Sequence, residues 1–110
     1  AYNLAFHDTL VAAAGNGAVE TALARNSFEP FAGAGALALD LTDLVAEYDH
    51  LVAAHRQHKA VLEAIERGDA TAAEQIMRDH ALAAVRNAKV FEAAMGAGLP
   101  LGAVRTIRAD

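Results

Sequence analysis

The sequence predicts an all-α protein folded as an antiparallel helical bundle, and three observations predict it. Apolar residues recur at three- and four-residue spacing along most of the 110 residues. Hydrophobic residues make up 55% of the chain and come mainly from Ala, Leu and Val, with Ala the strongest helix former of all. The eight glycines and two prolines gather at a few joints, and no strand signal stands out.

The elements follow in order. The first helix spans about Tyr2 to Ala14, with Leu4, Leu10 and Val11 as its heavier apolar residues and Asn3, His7 and Ala14 beside them. Gly15-Asn16-Gly17 ends it, since both residue types tolerate the left-handed conformation at a helix C-terminus. A second helix runs from about Ala18 to Phe28, and Pro30 interrupts the pattern. Between Phe31 and Asp43, Gly33 and Gly35 favour a loop while the Ala and Leu content favours helix; the helix reading is preferred. Asp43 to Arg67 holds one or two helices, the stronger from His50 to Arg67 with Asp49 as its N-cap and Gly68 as its stop. The last long helix starts near Asp69 to Thr71, where Thr71 and Glu74 have capping-box spacing, and continues to about Ala94. Gly96, Gly98 and Pro100 end it, and the tail to Asp110 is unassigned, a short helix or a swapped arm.

Composition narrows the function. The net charge of -5 makes this domain a poor binder of DNA, whose non-specific affinity comes from Lys and Arg on phosphates. The absence of cysteine excludes disulfides, thiolate metal sites and cysteine nucleophiles. The longest apolar run, Phe31 to Leu39, is nine residues against the roughly 20 of a membrane span. No secretory signal is recognisable, so the expected location is cytoplasmic. The opening Ala1-Tyr2-Asn3-Leu4 reads as the inside of a helix, as expected of a fragment.

The five histidines are the residues with most chemical scope. Helical period places His7 on the stripe Asn3, Leu4, His7, Leu10, Val11, Ala14. It places His55 and His58 on the stripe Leu51, His55, His58, Leu62, Ile65. His80 falls on the stripe Ala73, Ile76, Met77, His80, Ala84, Asn87, Phe91. One histidine on an apolar face is ordinarily a core residue bonded to a carbonyl or water. Three on three helices would cost free energy together unless one partner satisfies them all, and a metal ion does so. His50, near a helix start, is expected to be exposed and His55 partly exposed. Met77 reads as core filler, and Glu63, Glu66, Arg67 and Asp69 as a solvated face and helix end.

These residues carry a resemblance. Asn3-Leu4-Ala5-Phe6-His7 followed by Ala14-Gly15-Asn16 is similar to the "FH…GN" helix of the FCD domain, the C-terminal effector-binding module of one branch of the GntR-family regulators. His58-Lys59-Ala60-Val61-Leu62-Glu63-Ala64-Ile65 with Gly68-Asp69 resembles its "H-x-x-I/V-L-x-A-I…(G)D" helix. Ala73 with Met77-Arg78-Asp79-His80 resembles its "A…M-R-x-H" helix. The similarity runs from about Asn3 to Asn87, with Phe31 to Asp49 matching only in length.

The resemblance implies an antiparallel bundle of the FCD type over residues 1–95, with 96–110 as a tail and with earlier helices and a winged helix-turn-helix lying outside this sequence. It implies a divalent metal, zinc or nickel, on Asn3, His7, His58 and His80, with Asn3 standing where an Asp is commoner. It further implies a small carboxylate effector touching Asn16 and Asn87, a homodimer, and DNA contact through the missing domain; His55, one turn from His58, is read from its own position as a further pocket-lining effector contact. The chain is then a non-enzymatic sensor. The alternatives are a plain dimerisation domain and a helical metalloenzyme. Bundle di-iron sites use Glu-x-x-His pairs, and the chain is expected to have none, since Glu63 and Glu66 precede no histidine at that spacing.

Overall fold

A computed structural model of the chain describes residues 2–26, 37–98 and 104–107. Four helices dominate it: α1 (Tyr2–Ala14), α2 (Gly17–Asn26), α3 (Leu44–Glu66) and α4 (Ala70–Gly96). Two four-residue strands, β1 (Leu37–Asp40) and β2 (Val104–Ile107), pair antiparallel with Leu37 opposite Ile107. The protein is therefore the all-α bundle that the periodicity predicts, with a short ribbon attached. The ribbon corrects two expectations. Leu37–Asp40 is strand rather than helix, and residues 104–107 of the tail are its partner. The two strands lie far apart in sequence, so no local pattern announces the pairing. Residues 27–36, which include the end of the expected second helix at Phe28 and the first part of the Phe31 to Asp43 stretch, lie outside the described residues.

α1 has the predicted bounds, while α2 starts one residue earlier than predicted and is described as far as Asn26. Asn16 caps α2, its Oδ1 accepting from the Val19 N–H at 3.2 Å. α3 is one continuous helix of 23 residues, and its N-cap is Asp43, whose Oδ1 accepts from Ala46 N–H at 3.0 Å. Asp49 lies inside that helix. The Asp43 carboxylate satisfies the helix start first, and nothing in the following six residues breaks the pattern. The α4 cap also shifts. Asp69 Oδ1 accepts from Ala72 N–H at 3.0 Å, which leaves Glu74 to pair with Arg78 at 2.7 Å instead of closing a box with Thr71.

Between α3 and α4 the chain reverses in a Schellman turn. Gly68 N–H donates to Ile65 O and Asp69 N–H to Ala64 O, both at 2.9 Å, with Gly68 at φ +70°. Left-handed backbone is the reason for glycine at this position, since a Cβ here would meet nothing within 4 Å.

The resulting α3–α4 hairpin holds the core. On α3 the buried residues are Glu47, His58, Val61 and Ala64, with His50, Ala54 and Gln57 half-buried between them. On α4 the half-buried series is Ala73, Ile76, Met77, His80, Ala83, Arg86 and Val90. Spacings of three and four on both helices are those of an antiparallel packed seam. The α3 face is rotated from the one expected: Leu62 and Ile65 are 45% and 49% exposed, Leu51 and His55 are exposed as well, and only His58 belongs to both faces. The reason is chemical. Glu47, His50 and Gln57 occupy inward positions, and a search for apolar stripes passes over them. His50, expected in water, is half-buried for the same reason. On α4, Ala84 is exposed and Ala83 takes the inward place, while the side chains of Asn87 and Phe91 lie outside the described residues.

Glu47 and Arg86 form an ion pair across the seam, Glu47 almost fully buried and Arg86 33% exposed, with Glu47 Oε2 and Arg86 Nη1 lacking a hydrogen-bond partner among the described residues. Desolvating both charges offsets much of their attraction, whereas stranding one of them is costly. Arg86→Ala should therefore destabilise the domain by about 2–3 kcal/mol in urea denaturation, and the double replacement Glu47→Leu with Arg86→Met should recover most of that loss. A double variant no more stable than Arg86→Ala would contradict this reading. Gly68→Ala should cost about 1 kcal/mol, because only backbone strain opposes it.

Candidate metal centre

Three helices each deliver one histidine to the same place. His7 comes from the middle of α1, His58 from α3 and His80 from α4, ten residues before and twelve after Gly68. The hairpin brings the last two level, and α1 lies across them. Ligand nitrogens of the three lie within 4.8 Å of one another. His7 and His58 are 7% and 2% exposed and His80 is half-buried. His58 Nε2 and His80 Nε2 are 3.1 Å apart, and the ring centroids of His7 stand 5.1 Å from His58 and 5.4 Å from His80.

Aromatic neighbours fix the rings. Phe6 stacks on His58 with centroids 3.9 Å apart and planes 12° from parallel, and meets His7 edge-on at 5.2 Å. Tyr2 covers the outer side, 5.2 Å from His55 and 6.5 Å from His58. On the far side of His80, Nδ1 lies 2.9 Å from Gln57 Oε1. Gln57 escaped the sequence reading. It adjoins His58 in the chain, and only the rotated face of α3 turns it toward α4.

The protonation states suit a ligand set. Burial, then the charges of His80, His7 and His55, push His58 down from 6.5 to about 4. His7 is lowered by burial and His80, against a raising influence of Asp8, and His80 is lowered by burial and His50. All three are thus held as neutral imidazoles with lone pairs to give. Three nitrogens on one ion at ligand distance stand about 3.3 Å apart in a tetrahedral arrangement. The His58–His80 spacing is close to that value, and the His7 nitrogen lies within 4.8 Å of the other two. The residues present fit a divalent ion that accepts imidazole.

The remaining predicted positions divide. Asn3 is half-buried on α1, one turn before His7 and on the same helix side. Asn16 is exposed, with its amide oxygen committed to the α2 cap. His55 is exposed at the rim beside Tyr2. The Asn87 side chain lies outside the described residues. Contrary to the expectation of none, one Glu-x-x-His pair does occur, at Glu47 and His50. Glu47 is taken by Arg86, and a di-iron set needs two such pairs and two further glutamates. Among the described residues the one group with metal-holding geometry is His7, His58 and His80.

A helical bundle with a buried three-histidine centre defines the class of protein. The FCD-domain family model matches residues 1–83, which contain all three histidines, and the chain belongs to the FCD family. FCD domains are regulatory, effector-binding modules rather than catalysts. No curated protein and no solved structure matches the chain. No helix among the described residues is long and apolar enough to cross a membrane.

The lowered His58 pKa has a consequence for stability. Between about pH 6.5 and pH 4 the unfolded chain binds a proton at this histidine that the folded chain refuses. Stability from neutral His58 is therefore full above pH 6.5 and is lost as pH falls toward 4, with a slope of up to about 1.4 kcal/mol per pH unit. Urea titrations of metal-free protein between pH 4 and 8 should show that decline, and His58→Phe should make it shallower, leaving the part due to His7 and His80. A pH-independent midpoint would contradict the assignment.

Proposed function

We propose that this domain is the effector-sensing and dimerisation part of a GntR-family transcriptional regulator, and that it binds a small organic acid through a divalent metal held by His7, His58 and His80. The observation that carries this reading is the meeting of three neutral imidazoles from three helices within one ligand sphere. Asn3 is the fourth protein ligand in this proposal. An amide oxygen brings no charge, so the carboxylate of the effector supplies the negative partner for the ion. Zinc and nickel are the metals most at home with imidazole of this kind. When bound, the metal supplies a fixed positive charge on which a carboxylate can dock. His7, His58 and His80 hold that charge in place, and the rings of Phe6 and Tyr2 restrict water around it.

His55 at the rim is an effector contact in this reading. Asn16 offers only its Nδ2 group, and Asn87 is assigned by its place on α4. Because α1, α3 and α4 each contribute a ligand, occupancy changes the relative affinity of helix arrangements, which is the requirement for a signal. DNA contact belongs to a separate basic domain, consistent with the charge of -5 here. A cytoplasmic location accords with that role. Leu44, Val45 and Tyr48, 65–74% exposed in the first turns of α3, support a second copy as partner.

One observation favours a plainer reading. The His58–His80 contact of 3.1 Å is also an ordinary hydrogen bond between two core histidines, as a dimerisation domain without ligand would have. Metal analysis of untagged protein, with melting curves in zinc or nickel and in added acetate, separates the two. The sensor reading expects one ion per chain, a Tm raised by metal and raised further by acetate, and loss of both effects in His80→Ala. Metal-free protein whose Tm ignores all additions would establish the plain reading.

A further inference from the structure

Gln57 takes no part in the ligand set, yet it makes the other contact of a ligand ring. His80 faces two partners at once, Gln57 Oε1 at 2.9 Å from Nδ1 and His58 Nε2 at 3.1 Å from Nε2. A neutral imidazole has one N–H and one lone pair, so its two contacts must differ in sense. A ring that binds metal through Nε2 carries its proton on Nδ1, and that proton needs an acceptor. The Gln57 amide oxygen is in place to be that acceptor, on a half-buried side chain whose helix is held by the seam.

We propose that Gln57 is a positioning residue for the metal centre: it accepts from His80 Nδ1–H and thereby holds the Nε2 lone pair of His80 toward His7 and His58. This rests on the metal-centre reading above. One consequence concerns His58. With the His80 Nε2 lone pair facing it, His58 must donate from its own Nε2–H across the 3.1 Å contact in the metal-free protein. Taking up an ion then requires the His58 proton to move from Nε2 to Nδ1, while the His80 ring is already prepared. The two rings are unequal: His80 is set in advance, and His58 adjusts.

Long-range nitrogen-15 NMR of histidine-labelled, metal-free protein above pH 7 reads each tautomer directly. The expected result is Nδ1–H at His80 and Nε2–H at His58. Gln57→Leu should release His80 to the other tautomer and weaken zinc binding, measured by chelator competition, by ten- to a hundredfold. Gln57→Glu, which keeps an acceptor, should retain the His80 tautomer and bind zinc at least as tightly as wild type. An Nε2–H signal at His80 in wild type would overturn the proposal. So would a Gln57→Leu protein with unchanged tautomer and unchanged zinc affinity. If wild-type protein takes up no zinc at all, the metal reading fails, and the His80 tautomer in wild type and Gln57→Leu still decides the role of Gln57.

Discussion

The register of α3 against α4 is the constraint on which the rest of the domain depends. Gly68 in left-handed backbone closes the turn, and the two 2.9 Å bonds from Gly68 and Asp69 fix where α3 stops. From that point each helix climbs about 1.5 Å per residue, so positions at similar distance from the turn meet. His58 and His80 meet for this reason, as do Glu47 and Arg86 further up. A one-residue slip in either helix would turn a histidine by about 100° and remove it from the centre.

Along this seam the chemistry changes. Near the turn it is apolar, with Val61 and Ala64 facing the side of α4 that carries Ile76 and Met77. Away from the turn it is polar, through Gln57, His58 and His80 to His50, Arg86 and Glu47. The first half stabilises the hairpin by burying hydrocarbon. The second half adds little net stability, since buried polar groups at best recover their desolvation cost. That division leaves one end of the hairpin firmly packed and the other held by interactions of little net stability. α1 adds the third histidine and the Phe6 ring, so the centre closes only when α1 is docked on the hairpin.

Much of this was legible from residues alone. The histidines could be read because each lies at helical spacing among apolar neighbours, and the order of motifs gave the FCD family. The phase of α3 could not be read in the same way. Leu51, Leu62 and Ile65 form a convincing apolar stripe that faces outward, while the inward face carries a glutamate, a histidine and a glutamine. Hydrophobic periodicity identifies a core only where the core is hydrophobic, and here a polar seam breaks that rule. The caps went astray for a smaller reason. Asp43 and Asp69 compete with Asp49 and Thr71 as equally competent residue types, and the choice is made by tertiary packing. The β1–β2 pairing depends on contacts between distant segments, which no local window contains.

Tyr2 gives the molecule an optical property. The chain has two tyrosines and no tryptophan, so its near-ultraviolet emission comes from those two rings alone. Tyr2 packs against His55 and His58 at the mouth of the centre, while Tyr48 sits ten residues up α3, about 15 Å along the helix axis. One of the two chromophores thus touches the centre and the other does not. Charge or ring movement at His58 alters the surroundings of one emitter and leaves the second as an internal reference, so that the unlabelled protein carries its own fluorescent gauge of events at that ring.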